Sequence, residues 1–111
     1  MIRKKFNLAA LHYWDYEGRN KLSYVYQNEL IRQFRELKRL FQKNKCFYCQ
    51  REMVDASAKG RCRCTAEHLV PVSHGGKNEV DNIVAACWGC NSTRATGDWL
   101  EFLKTRHPLY R

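Results

Sequence analysis

The chain has 111 residues, enough for one domain, and its 20 lysines and arginines outnumber 11 aspartates and glutamates. The net charge of +9 favours a polyanionic partner, nucleic acid before an anionic membrane. No apolar run approaches a membrane span and no hydrophobic segment follows the basic N-terminus, which disfavours a membrane or secreted protein. We therefore predict a cytoplasmic protein, in which paired cysteines hold metal more often than they form disulfides.

The first 45 residues carry most of the excess charge, with 11 basic and 4 acidic side chains and hence a balance of +7. Between about 22 and 43, apolar residues recur at steps of three and four, which predicts an amphipathic helix. Arg35, Lys38 and Arg39 fall mostly off the apolar stripe. They form either a solvated face on a packing helix or a set of phosphate contacts, and the pattern leaves both alternatives open.

Two Cys-x-x-Cys pairs follow, with 37 residues between them. Four thiolates suit a closed tetrahedral zinc site, whereas a redox pair is expected beside a βαβ pattern that this sequence lacks. Cys62 and Cys64 exceed the count for one site, and we interpret them as free thiols, with ligand exchange or a second bound metal as the alternative. We predict one structural zinc held by Cys46, Cys49, Cys87 and Cys90.

The segment between and after the cysteine pairs reads as short elements. In chain order these are a polar loop over 51–63, an edge strand over 69–72, a glycine loop over 73–78 and an apolar run over 82–86. A short helix is expected beyond Asn91. Asp98, with Glu101 three residues later, forms a capping-box pattern and predicts the start of a terminal helix.

Three sequence patterns together carry a family resemblance. They are Glu67-His68-Leu69-Val70-Pro71-Val72-Ser73-His74-Gly75-Gly76, then Asp81-Asn82-Ile83, then Asn91 directly after the last cysteine. The combination resembles the HNH endonucleases, in particular their four-cysteine branch in phage, prophage and restriction nucleases, over residues 46 to about 97. The resemblance implies an α+β fold with a ββα-metal core (His-Me finger, treble-clef-like). A basic helical extension over 1–45 and a C-terminal helix over 98–111 would complete one nuclease domain.

The resemblance also implies roles for four residues. His68 would be the general base, since histidine titrates close to neutral pH and can accept a proton from water. Glu67 and Asn91 would hold one divalent cation, Mg²⁺ or Mn²⁺, which can bind a phosphate oxygen and the leaving oxygen together. Asn82 would fix the histidine-bearing segment through backbone hydrogen bonds. The family more often has aspartate at the position of Glu67, and histidine at that of Asn91.

Two further residues are candidate nucleic-acid contacts. Arg94 either clamps a phosphate or forms a surface salt bridge, and His74 either contacts phosphate or is an exposed loop residue. We predict a metal-dependent endonuclease that hydrolyses DNA, double-stranded by preference, as a monomer or weak homodimer. The alternatives are a non-catalytic zinc module that binds nucleic acid or protein, and a redox or zinc-sensing regulator that uses Cys62 and Cys64.

Overall fold

The structure, a computed structural model, describes residues 21–110, with side chains from Tyr24 onward. The predicted features of residues 1–20 lie outside this range. The described part is a small α+β fold with three α-helices and a two-stranded antiparallel sheet, which confirms the predicted class. The elements are α1 (Lys21–Phe41), β1 (Cys64–His68), β2 (Ile83–Cys87), α2 (Trp88–Arg94) and α3 (Trp99–Arg106).

The two strands pair with Cys64 opposite Cys87 and His68 opposite Ile83. Every residue of β2 is buried, because the strand lies between β1 on one side and the packed α1 on the other. The core continues from the sheet into the first cysteine pair, where Tyr48 is fully buried and its ring meets that of Phe102 in α3 at 4.9 Å. Sheet and cysteine pairs therefore share one small core.

The outer edge of β2 is closed by side chains rather than by a third strand. Just after α1, Gln42 accepts a hydrogen bond from the Ala85 N–H (3.0 Å) and donates one to the Ala85 carbonyl (2.7 Å). Lys38 of α1 donates to the carbonyl of Ile83 at 2.7 Å. Unpaired edge groups are costly when buried, so these contacts let a two-stranded sheet lie inside the core.

The basic residues of α1 make more contacts with other protein groups than the sequence pattern indicated. Lys38 faces β2, and the expectation that it lies off the packing surface is wrong. Arg35 contacts Glu36 at 2.9 Å, and Arg39 donates to the side chain of Asn44 at 2.6 Å. The side chains of Arg35 and Arg39 are 20% and 22% exposed. Phosphate contact by these three side chains stays a prediction.

Two predicted elements begin at the wrong place. The strand expected over 69–72 is Cys64–His68, and residues 69–71 lead instead into a short 3₁₀ helix at Val72–His74. Pro71 has no N–H to give to a strand ladder. The helix expected beyond Asn91 already starts at Trp88, because Cys87 caps it by accepting a hydrogen bond from the Cys90 N–H at 3.4 Å.

The start of the terminal helix agrees with the sequence pattern. The Asp98 side chain accepts a hydrogen bond from the Glu101 N–H at 2.9 Å, as an N-cap does, and α3 packs on the core through its aromatic residues. The carboxylate of Glu101 lies 3.8 Å from Lys104. Among the described helices, none combines the length and apolarity required to cross a bilayer.

We predict that Gln42→Ala destabilises the fold, because it leaves the N–H of the fully buried Ala85 without its acceptor, while the Ala85 carbonyl keeps only the Phe47 N–H at 3.0 Å. The expected loss in free energy of unfolding is about 1–3 kcal/mol. Urea unfolding of zinc-loaded protein measures it. Asn28→Ala, at an exposed position of α1, is the matched control and should change the midpoint little. Equal midpoints for Gln42→Ala and wild type would contradict the role of Gln42 at the strand edge.

Candidate functional site

The four cysteines of the two pairs form a cluster in which all Sγ atoms lie within 4.8 Å of one another. The first pair sits in the turns after α1, Cys87 ends β2, and Cys90 lies in the first turn of α2. Zn–S bonds of about 2.3 Å place sulfurs of a tetrahedral site about 3.8 Å apart. Cys49 and Cys87 are already 4.0 Å apart, so this set of soft ligands fits zinc. The predicted four-cysteine cluster is confirmed.

Backbone N–H groups and neighbouring thiols form hydrogen bonds with the sulfurs of this cluster and shift their pKa values. The N–H groups of Tyr48 and Cys87 both point at the Cys46 sulfur at 3.3 Å. Hydrogen bonds with the thiols of Cys46 and Cys90 lower the pKa of Cys87. The contact with Cys87 raises the pKa of Cys46, and contacts with Cys46 and then Cys87 raise the pKa of Cys90. Four adjacent thiols cannot all ionise without a cation between them. A dication would displace the remaining protons, so metal affinity should rise with pH.

The other two cysteines lie outside the cluster. Cys64 is buried as the first residue of β1, while Cys62 is exposed. A cleft over the cluster is lined by Arg51, Arg61 and Arg106 together with Cys62. A zinc ion with four thiolates carries two negative charges, and these arginines supply opposite charge beside it.

His68 lies at the far end of β1 from the cluster and is half-buried. Its Nε2 is 2.7 Å from the Asn78 side-chain oxygen, and the Asn78 amide nitrogen is 3.1 Å from Gln27 in α1. Neither the contact of His68 with Asn78 nor that of Asn78 with Gln27 was predicted from the sequence. Gln27 and Asn78 lie 51 residues apart, so the sequence gives no local signal of their contact.

Asn82 ties together the loop that follows His68. Its side-chain oxygen accepts from the Val70 N–H at 2.9 Å, and its amide nitrogen donates to the carbonyls of Val70 (3.1 Å) and Lys77 (2.9 Å).

The two glycines of this loop are required for different reasons. Gly75 has φ +90°, which favours glycine, whereas a Cβ on Gly76 would lie 1.7 Å from the Val70 carbonyl oxygen.

Glu67 and Arg94 form a buried ion pair beneath the histidine. The Glu67 Oε2 accepts from Arg94 Nη1 and from the Tyr48 hydroxyl, each at 2.7 Å, and the two charged side chains are 5% and 2% exposed. Burial, followed by the Glu67 carboxylate, raises the pKa of Tyr48, which therefore stays a neutral donor. The salt bridge offered as one alternative for Arg94 exists, but in the interior rather than at the surface.

The guanidinium of Arg94 donates four of its five N–H groups to acceptors within the protein. Besides Glu67 it donates to the carbonyls of His68 (2.7 Å), Leu69 (2.6 Å) and Gly97 (2.7 Å). These bonds join the end of β1 to the segment after α2. His74, the other candidate for phosphate contact, lies exposed in its 3₁₀ helix.

Glu67 and Asn91 each have one side-chain oxygen without a hydrogen-bond partner in the described part of the chain. Within residues 24–110, no hydrogen bond reaches Glu67 Oε1. Every fully buried side-chain oxygen in this range has a hydrogen-bond partner, so Oε1 must be in contact with solvent. The Asn91 amide nitrogen donates to Thr65 Oγ1 (2.9 Å) and to the Ala66 carbonyl (3.2 Å). Because the Thr65 hydroxyl gives its own proton to Ala86, both groups are acceptors and the Asn91 oxygen must face away from them.

Fold and site together define a small α+β fold with a four-cysteine cluster that can hold a metal at one end of the sheet and the half-buried His68 at the other. Residues 46–96 match the family model described as HNH endonuclease, which confirms the predicted resemblance over this segment. The comparison with curated proteins found no match, and neither did the comparison with solved structures.

We predict that the purified protein holds one zinc per chain and unfolds when a strong chelator removes it. Cys90→Ser removes a ligand and should abolish stoichiometric zinc and the cooperative unfolding transition, because a structural zinc supplies much of a small domain's folding free energy. Elemental analysis and circular dichroism measure the two effects. Cys62→Ser, outside the cluster, is the control and should keep both. A cooperative fold in Cys90→Ser without zinc would contradict a structural metal.

We predict that Arg94→Met costs about 3–5 kcal/mol of folding free energy, because it leaves the Glu67 carboxylate buried without its cation. Adding Glu67→Gln removes the unpaired charge and should recover part of the loss, which a double-mutant cycle from urea unfolding quantifies. Additive effects of the two substitutions would mean that the pair is not coupled.

Proposed function

We propose that the protein is a metal-dependent endonuclease that hydrolyses DNA phosphodiester bonds, with His68 as general base. One arrangement carries the proposal: a half-buried imidazole next to an anchored carboxylate, each of Glu67 and Asn91 keeping one oxygen without a protein partner. A module that only binds nucleic acid has no use for a base beside two spare oxygen ligands. The match of residues 46–96 to the HNH endonuclease family model supports the same function.

The chemistry follows from the positions of these groups. With the Nε2 of His68 bound to Asn78, the Nδ1 is the ring nitrogen left to take a proton from a water that attacks phosphorus. Glu67 Oε1 and Asn91 Oδ1 are hard oxygen ligands that suit Mg²⁺ or Mn²⁺, and a bound cation would neutralise charge on the phosphate and the leaving 3′ oxygen. Asn82 holds the backbone after His68, and Arg94 holds the carbonyl of His68 itself.

The structural zinc is proposed to fold the domain and to take no part in the chemistry. Cys46, Cys49, Cys87 and Cys90 would hold it as a closed tetrahedral site without an open position. The proposed division is therefore one soft-ligand centre for stability and one oxygen-ligand centre for cleavage.

The partner is proposed to be double-stranded DNA, bound by a monomer or weak homodimer mainly through phosphate charge. The net charge of +9 supports this. His74 is exposed and can reach a ligand, whereas Arg35, Lys38, Arg39 and Arg94 would first have to release their protein partners. The end of the fold that holds the cysteine cluster offers another basic surface, where the guanidiniums of Arg61 and Arg63 lie 5.9 and 4.9 Å from the ring of Trp88.

We predict that wild-type protein nicks supercoiled plasmid in Mg²⁺ or Mn²⁺, and that His68→Ala lowers the nicking rate by about 10²–10⁴-fold, the usual cost of losing a general base. Gel electrophoresis of plasmid over time measures the rate. Zinc content and DNA affinity by fluorescence anisotropy should stay at wild-type levels, because His68 contributes to neither.

His107→Ala, outside the proposed site, is the matched control and should nick normally. EDTA should stop nicking before it removes the thiolate-bound zinc, since oxygen ligands hold Mg²⁺ more weakly. Nicking by His68→Ala within about threefold of wild type would show that another group activates the water. Tight DNA binding without any cleavage by wild type would favour the non-catalytic zinc module instead.

A further inference from the structure

We infer that Asn78, held by Gln27 of α1, is a positioning residue that selects the tautomer of His68 and fixes its ring. The inference rests on the proposed function, in which the Nδ1 of His68 accepts a proton. It assigns to the loop after β1 and to the N-terminal helix a part in the site that lies beyond the proposed base and cation ligands.

The contact at 2.7 Å between His68 Nε2 and Asn78 Oδ1 decides where the ring proton sits. An amide oxygen has no hydrogen to give, so the Nε2 must be the donor. A neutral imidazole then carries its lone pair on Nδ1. The Asn78 oxygen therefore both turns the ring and leaves the opposite nitrogen as the base.

The observed orientation of the Asn78 amide is stabilised by Gln27. The Asn78 amide nitrogen donates to the Gln27 side-chain oxygen at 3.1 Å, which turns the Asn78 oxygen towards the histidine. A flipped amide would present its N–H₂ group to Nε2 and would force the proton onto Nδ1, where it would block the base. All three side chains are half-buried, so water competes only in part for these bonds.

The backbone under Asn78 is held independently. Asn82 donates to the carbonyl of Lys77, the residue before Asn78, at 2.9 Å. The loop position is thus set by Asn82 and the side-chain orientation by Gln27. Because Gln27 lies outside the HNH match at 46–96, α1 contributes to the site although it is not part of the family segment.

The first test compares Asn78→Leu, which has a similar shape but no acceptor, with Asn78→Asp, which keeps one. Nitrogen-15 NMR of the His68 ring, assigned by the signal lost in His68→Ala, reports the tautomer at about pH 8.5, where an ordinary histidine is uncharged. We expect the Nε2–H form in wild type and Asn78→Asp, and a mixture of both forms in Asn78→Leu. Gln27→Leu should also give a mixture, whereas Asn28→Leu on the same helix should not.

The second readout is plasmid nicking. Loss of one positioning hydrogen bond and part of the correct tautomer should lower kcat by about 10-fold in Asn78→Leu, with unchanged Kd for DNA. Asn78→Asp should recover most of that rate. A general structural role would instead lower zinc content and DNA affinity as well, and the aspartate variant would not restore kcat.

An unchanged Nε2–H form in Asn78→Leu would overturn the inference, whatever the nicking rate. The NMR readout needs no nuclease activity, so it also separates this inference from the proposed function. If Asn78→Leu shows the expected tautomer change but the wild-type protein cuts no DNA, only the proposed function is contradicted. If the wild-type protein cuts DNA but the His68 tautomer is the same in wild type and Asn78→Leu, only the positioning role is contradicted. Should Asn78→Leu fail to fold, the tautomer in Gln27→Leu decides in its place.

Discussion

The sheet and the site both depend on four sulfur atoms that must meet at one point. Cys87 is the last residue of β2 and pairs with Cys64 of β1, so bringing its sulfur to the first cysteine pair prevents β2 from sliding along its partner. A slip of one residue would turn every side chain of a strand to the opposite face. The cluster thus fixes which side chains of β1 face the core, and it does so at the opposite end of the strand from His68.

The mostly apolar interior of this small domain contains a buried ion pair whose polar atoms have defined partners. Glu67 uses one carboxylate oxygen for Arg94 and Tyr48 and leaves the other without a protein partner. Asn91 divides its amide in the same way, with the nitrogen bound to β1 and the oxygen turned outward. In both residues, the hydrogen-bonded side-chain atom fixes the position of the oxygen that has no protein partner. Such preorganisation is what the proposed divalent cation would require of its few protein ligands.

Features with a local sequence signal were predicted well. The spacing of the cysteines, the apolar period of α1 and the cap at Asp98 each follow from a few neighbouring residues. The strand was misplaced because Leu69–Val72 is more apolar than Cys64–His68, whose Glu67 is buried only through a partner 27 residues away. Asn78 and Gln27 went unpredicted for the same reason: their roles come from contacts across the fold, which one sequence does not display. The edge contacts of Gln42 also arise only in three dimensions.

The order of residues along the chain has a consequence for protein synthesis. His68 leaves the ribosome well before Cys87 and Cys90, and Asn91 is the residue directly after the last cysteine. A nascent or truncated chain that ends before residue 91 lacks half of the metal centre or the second proposed oxygen ligand. Under the proposed function, the reactive parts would therefore come together only after the chain has been made past residue 91 and zinc has bound to the four cysteines. A nuclease of the proposed kind would then be inactive towards DNA in every shorter form of the chain.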